Sequence, residues 1–194
     1  MTDYSHFLPD IIRAVIAAGK AVLEVYETSF DVLQKSDHSP LTKADTESNR
    51  ILCEALRTTA YPVISEEGDQ MAYAVRSQWP VYWLIDPLDG TKEFVHRNGE
   101  FTVNIALVRD RSPVLGVVYV PPTEELFLGI VGRGAAKRKG AAREVIAARK
   151  PPSEGLTVLA SLGKSYGVPG LRLGTLATAD AAGNPSVRMI LIRG

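Results

Sequence analysis

The feature that most constrains this chain is a run of five apolar residues, Val81-Tyr82-Trp83-Leu84-Ile85, cut off by Asp86-Pro87-Leu88-Asp89-Gly90-Thr91. Such a run leaves no solvated face, so Val81 to Ile85 is expected to be a strand buried on both sides. Pro87 has no N–H to give a ladder, so pairing is expected to stop there and the chain to turn. Asp86 and Asp89 are then fixed at the strand's carboxyl end, where open α/β sheets present ligands. Gly90 and Thr91 open a short helix whose first N–H groups are unpaired and suit an anion. Two carboxylates beside such a start describe a place where a hard cation joins protein to phosphate. The plainer alternative is that Asp86 merely ends a strand and Asp89 caps the helix through Thr91.

A second acidic cluster weighs against that alternative. Tyr61-Pro62-Val63-Ile64-Ser65 reads as a short strand ending in Glu66-Glu67-Gly68-Asp69. If the two strands are neighbours, Glu66 comes beside Asp86, and acids from two strand ends point to metal coordination. Upstream, Thr42-Lys43-Ala44-Asp45 begins a helix running to about Leu56, with Ile51, Leu52, Ala55 and Leu56 on its buried side. Thr42 with Asp45 three residues on resembles a capping box, which favours a carboxylate there for local reasons. The functional alternative is that Asp45 reaches a cleft and orients a water.

The remaining elements supply a scaffold. Leu8, Ile11, Ile12, Val15, Ile16, Ala18, Val22, Leu23 and Tyr26 recur at helical spacing, which predicts an amphipathic helix from Leu8 to Tyr26. Phe30 to Gln34 reads as a short strand, and His38 as a surface loop residue. Phe101 to Arg109, Pro113 to Val120 and Glu125 to Val131 read as three strands of an antiparallel meander, with Pro121-Pro122 and Gly132 at the turns. The fold class is therefore α+β, a largely antiparallel sheet with helices.

Charge and composition exclude several classes. Lys and Arg number 22 and Asp and Glu 22, so no global field recruits nucleic acid or anionic membrane. Arg133, Lys137, Arg138, Lys139, Arg143, Arg149 and Lys150 face the single acid Glu144 between 132 and 150, but without aromatic interleaving this reads as a solvated hairpin. Cys53 is the one cysteine; it permits no internal disulfide and gives no zinc spacing. No apolar run reaches spanning length and no signal peptide is seen, so a cytoplasmic location is expected, with peripheral association at the inner membrane as the alternative.

The motifs Ser39-Pro40-Leu41-Thr42-Lys43-Ala44-Asp45, Pro62-Val63-Ile64-Ser65-Glu66-Glu67, Trp83 to Phe94 and Arg97 to Ala106 resemble, in this order and spacing, the inositol monophosphatase superfamily of metal-dependent, lithium-sensitive phosphatases. The Lys92-Glu93-Phe94 continuation favours its bacterial 3′(2′),5′-bisphosphate nucleotidase branch. The resemblance covers roughly residues 5 to 165 and implies the layered α/β sugar-phosphatase fold. It implies that Glu66, Asp86 and the Leu88 carbonyl bind one Mg²⁺, and that Asp86 with Asp89 binds a second. It further implies that Asp45 and Thr91 activate the attacking water with Glu66 in the catalytic set, and that the Gly90 and Thr91 amides hold the phosphate. Glu66, Leu88, Asp89, Gly90 and Thr91 would then line the substrate. The implied reaction removes the 3′-phosphate of adenosine 3′,5′-bisphosphate, giving AMP and phosphate. The expected partner is a small phosphate ester, with no nucleic acid and no integral membrane segment. Lys92 and Arg97 are further candidates for substrate contact.

The end of the chain departs from that family. Its members continue well beyond this point and carry a Trp-Asp motif whose aspartate completes the second metal site, so the expectation is a truncated domain at 1–165 with an incomplete second site. Asp180-Ala181-Ala182-Gly183 echoes that motif, but no tryptophan precedes it. Leu171 to Ala179 and Ser186 to Ile192 read as a strand–turn–strand, and the 166–194 tail resembles a fragment of the pyridoxamine 5′-phosphate oxidase family, in which a segment like Arg188 to Arg193 contributes to an FMN phosphate site. Two alternatives to a phosphatase follow: a non-catalytic phosphate- or metal-binding remnant, and an FMN-binding fragment led by the tail.

Overall fold

The computed structural model describes residues 2–34, 40–68 and 71–147, and two short strands at 176–179 and 185–188. In chain order the elements are α1 (Leu8–Tyr26), β1 (Val32–Gln34), β2 (Pro40–Thr42), α2 (Lys43–Leu56), β3 (Val63–Ser65), α3 (Tyr73–Arg76), β4 (Val81–Asp89), α4 (Thr91–Val95), β5 (Thr102–Arg109), β6 (Ser112–Val120), β7 (Glu125–Ile130), β8 (Gly134–Lys139), β9 (Ala142–Ile146), β10 (Leu176–Ala179) and β11 (Pro185–Arg188). Strands β3 to β9 form one sheet in sequence order. β3 and β4 are parallel, and every later neighbour in that sheet is antiparallel. The expected three-strand meander is thus a five-strand one. The basic hairpin is its outer edge, because β8 pairs with β7.

One face of the sheet and the two long helices make the core. Trp83 and Ile85 of β4, Val103, Ile105 and Leu107 of β5, and Leu115, Val117 and Tyr119 of β6 bury their side chains with Ile11, Val15, Val22, Leu52 and Leu56. Alternate residues share a face, so the register Trp83↔Leu107 and Ile85↔Ile105 puts these side chains in one layer. Helix α1 can lie close because Gly19 has no side chain; a Cβ there would overlap the Tyr119 ring. The Trp83 indole N–H donates to Thr59 Oγ1 at 3.0 Å, which satisfies its polar atom inside the core.

Two expectations about β4 are corrected. Burial alternates: Trp83 and Ile85 are buried while Tyr82 and Leu84 are half-buried, so the apolar run does not mark burial on both faces. Pairing also does not stop at Pro87. It shifts and resumes, with Asp86 opposite Asn104 and Asp89 opposite Thr102. Three steps along β4 match two along β5, so β4 carries one extra residue there, a β-bulge, and a bulge is where a proline's missing N–H costs nothing.

Among the described residues, no helix is long and apolar enough to cross a membrane. The tail strands β10 and β11 pair antiparallel, Leu176↔Arg188 to Ala179↔Pro185, and β11 lies against β6, β7 and β8. The turn between them with Asp180, the outer ends of the predicted tail strands, the 165 junction and His38 lie outside the described residues.

Candidate functional site

The bulge makes the site. It offsets Asp86 and Asp89 by one position against β5 and leads into Gly90, whose φ of 93° and ψ of 37° are left-handed. Glycine is required there twice over, since a Cβ would also stand 2.8 Å from the Glu100 carbonyl oxygen. Helix α4 starts at the next residue without a side-chain cap. Asp89, one residue before that glycine, accepts at Oδ2 from the Asn104 amide at 3.2 Å.

Helix α2 delivers the second half of the site. Its capping box is complete: Thr42 Oγ1 accepts from the Ala44 N–H at 3.2 Å, and Asp45 Oδ2 accepts from the Thr42 N–H at 2.7 Å and the Thr42 hydroxyl at 2.6 Å. Asp45 is fully buried, and its other oxygen, Oδ1, stands 3.1 Å from the Thr91 hydroxyl, which is also 3.1 Å from the Leu88 carbonyl oxygen. The capping role of Asp45 thus takes one carboxylate oxygen and the contact with Thr91 the other. One turn along, the buried Ser48 donates to the Pro87 carbonyl at 2.6 Å and ties the helix to the bulge.

The third contribution comes through the parallel pair. Ser65 stands opposite Ile85 and the Glu66 N–H donates to the Ile85 carbonyl at 3.2 Å, so the two strands end side by side and Glu66 meets Asp86. The Asp86 carboxyl is held well above its ordinary value of 3.8, first by burial, then by the neighbouring Asp89 and Glu66 charges and a hydrogen bond shared with Glu66; the Leu88 N–H opposes this. Among the described residues, no three His, Cys, Asp or Glu side chains are gathered tightly enough to cage an ion. Mg²⁺ does not need such a cage. It keeps several waters and takes one or two carboxylates together with substrate phosphate. Hard oxygen donors crowded until one favours its proton fit such a cation, which would relieve that crowding.

Several residues of the site carry no signal of their own in the sequence. Ser48 lies one turn beyond Asp45 on the same helical face, and that spacing could have found it. Asn49 Oδ1 accepts from the Ser65 hydroxyl at 2.6 Å, and Ser65 Oγ in turn accepts from the Glu67 N–H at 3.2 Å, which fixes the acidic turn to α2. Cys53 is half-buried beside Asn49, and burial pushes its thiol pKa up. Arg97, a candidate for substrate contact, instead donates to the Tyr26 and Thr28 carbonyls at 2.5 Å and lies over the Tyr26 and Phe30 rings, closing the end of α1. Among the basic hairpin residues, Lys137 pairs with Glu125 at 2.8 Å and Arg133 with Asp3 at 2.7 Å.

A model of the inositol monophosphatase family matches residues 3–168. The 3′(2′),5′-bisphosphate nucleotidase CysQ of Shigella flexneri is 46% identical over 151 residues, which cover 75% of this chain and 61% of that protein. CysQ of Escherichia coli K12 is 43% identical over 150 residues, with 75% and 61% covered. The chain thus spans about three fifths of the length of these curated relatives. Among solved structures, CysQ from Bacteroides thetaiotaomicron superposes with a TM-score of 0.63 at 47% identity, covering 71% of this chain and 50% of that one.

Proposed function

The chain belongs to the inositol monophosphatase family, and from that premise we propose that it is a Mg²⁺-dependent phosphatase of the 3′(2′),5′-bisphosphate nucleotidase type, removing the 3′-phosphate of adenosine 3′,5′-bisphosphate to give AMP and inorganic phosphate. One observation carries the reading. Three carboxylates, Glu66, Asp86 and Asp89, crowd at adjoining strand ends, one burial-shifted, beside a hydroxyl–carboxylate pair, Thr91 and Asp45, held from another direction. The identity to CysQ proteins supports the choice of substrate.

Glu66, Asp86 and the Leu88 carbonyl would hold one divalent cation, and Asp86 with Asp89 a second. Bound there, Mg²⁺ supplies the acidity that makes water a nucleophile at neutral pH and offsets charge on attacking and leaving oxygens. The chain's own part is proton handling and positioning. With its hydrogen held by Asp45 Oδ1, the Thr91 hydroxyl presents a lone pair that accepts a hydrogen bond from the attacking water, and the proton released passes through Thr91 to Asp45. The N–H groups of Gly90 and Thr91 receive phosphate oxygens. Thr42 donates twice to Asp45 Oδ2, so the carboxylate cannot rotate away from Thr91.

Phosphate release from adenosine 3′,5′-bisphosphate, measured with and without Mg²⁺ on wild type and Asp86→Ala, tests the proposal. Release that needs Mg²⁺ and is lost in the variant supports it, and Mg²⁺-dependent release that survives Asp86→Ala overturns it. A second reading is cation and phosphate binding without turnover, which the crowding of Glu66 and Asp89 about the buried Asp86 carboxyl would support equally. It predicts Mg²⁺ binding with no release in the same assay.

A further inference from the structure

Among the described residues, Asn104 is the one buried side-chain amide, 2% exposed in β5 amid Val103, Ile105 and Ala106. It stands directly opposite Asp86 across the last regular pair before the bulge. Its Nδ2 donates to Asp89 Oδ2 at 3.2 Å, while its Oδ1 is buried with no hydrogen-bond partner. The orientation of the amide is fixed by chemistry, since an ionised carboxylate only accepts and so faces the nitrogen. A buried acceptor left open is destabilising unless something donates to it. An apolar residue at 104 would fit the surrounding strand and avoid that cost.

We propose that Asn104 is a positioning residue for a divalent cation at Asp86 and Asp89: its Nδ2 fixes the Asp89 carboxylate, and its Oδ1 accepts from a water of the cation's hydration shell. This rests on the cation site of the proposed function. Asp89 lies just past the bulge, opposite Thr102, and Asn104 reaches it from the neighbouring strand. A hydrated Mg²⁺ carries several waters whose hydrogens need acceptors, and Oδ1 is an acceptor in want of a donor. Asn104 does not touch the substrate in this assignment; it acts through Asp89 and through water.

The test is the Mg²⁺ dissociation constant, read by calorimetry and by the Mg²⁺-dependent rise in Tm, on the full chain with Asn104→Leu. The expected result is a metal-free Tm equal to or above that of wild type and Mg²⁺ binding weakened at least about tenfold. Asn104→Ser, which is too short to reach Asp89, serves if the leucine variant does not fold, with the same weakening expected. In an Asp89→Asn background, Asn104→Leu is expected to cost little further affinity, since a group that works through Asp89 has lost its object. A folded Asn104 variant that binds Mg²⁺ as wild type does, or losses that simply add in the double variant, overturns the assignment while leaving the cation site standing. A wild-type chain that binds no Mg²⁺ overturns both.

Discussion

The Ser48 hydroxyl on α2 donates a 2.6 Å hydrogen bond to the Pro87 carbonyl in the β4 bulge, and both groups are buried. This bond joins the helix that presents Asp45 to the turn that presents Asp86 and Asp89. Ser48→Ala leaves the carbonyl without that donor at a cost of about 1–3 kcal/mol, and it frees the bulge to shift against α2. The expected outcome is a lower midpoint in urea unfolding together with a loss of phosphate release larger than the stability change alone produces. A variant with the lower midpoint and full activity at low temperature would mean that the bond only holds the fold.

Asp45 and Thr91 are separable by experiment. Asp45 serves the start of α2 through Oδ2 and Thr91 through Oδ1. Asp45→Asn is expected to lose activity and also about 0.5–2 kcal/mol of stability from the damaged cap. Thr91→Val keeps the shape and the cap, so it is expected to lose activity, by about 10²–10⁴-fold if proton handling is its role, with a smaller change in stability. Parallel rate and urea-unfolding measurements on the two variants check the difference.

Asp86 predicts an unusual pH dependence. Its folded-state pKa lies well above 3.8, so the folded chain holds a proton that the unfolded chain releases. The stability from that proton is fully present below 3.8 and is lost as pH rises through the folded-state value. Metal-free protein should therefore lose this contribution as pH rises through that folded-state value, and bound Mg²⁺ should offset the loss by relieving the carboxylate crowding. Asp86→Asn carries no charge there; it is expected to raise the metal-free Tm at neutral pH by about 2–4 °C for each kcal/mol recovered, and to abolish the Mg²⁺-induced rise. Thermal scans across pH with and without Mg²⁺ decide this, and a wild-type Tm that falls with added Mg²⁺ contradicts it.

Gly90→Ala must either hold alanine at a φ of 93° or move the Glu100 carbonyl from a Cβ 2.8 Å away. Both distort the start of α4, and a cost of about 1–3 kcal/mol is expected for holding a side chain in that backbone region. Gly99 is the control. It too has a positive φ, 78°, but nothing lies within 4 Å of its added Cβ. Gly99→Ala should thus carry only the backbone cost and leave phosphate release closer to wild type.

The elements were legible where the signal was local. The 3.6-residue spacing from Leu8 to Tyr26 gave α1 to the residue, and Thr42 with Asp45 gave the start of α2. Pro87 misled, because a missing N–H ends pairing only where the ladder needs that N–H, and a bulge does not. The run at Val81–Ile85 misled similarly: five apolar residues fit a strand with one face in the core and one partly covered. Asp86, Asp89 and Asp45 could be picked out because carboxylates are conspicuous at strand and helix ends. Ser48 is marked only by its spacing from Asp45 and Asn104 not at all, since a serine in a helix or an asparagine in a strand gains its meaning from a partner 39 or 15 residues away.

The parallel pairing of β3 with β4 has a geometric consequence. Had those strands run in opposite directions, Glu66 would emerge at the far end of β4, beside Tyr82, about 13 Å from Asp86 at roughly 3.3 Å per residue. A hairpin could have linked antiparallel strands in two residues, whereas the chain travels from Ser65 to Val81 to return to the same starting side. That detour brings two acidic turns to a common rim. Their meeting depends on a docking between distant segments, so cation affinity should be the last property the chain acquires on folding and the first it surrenders when the edge of its sheet loosens.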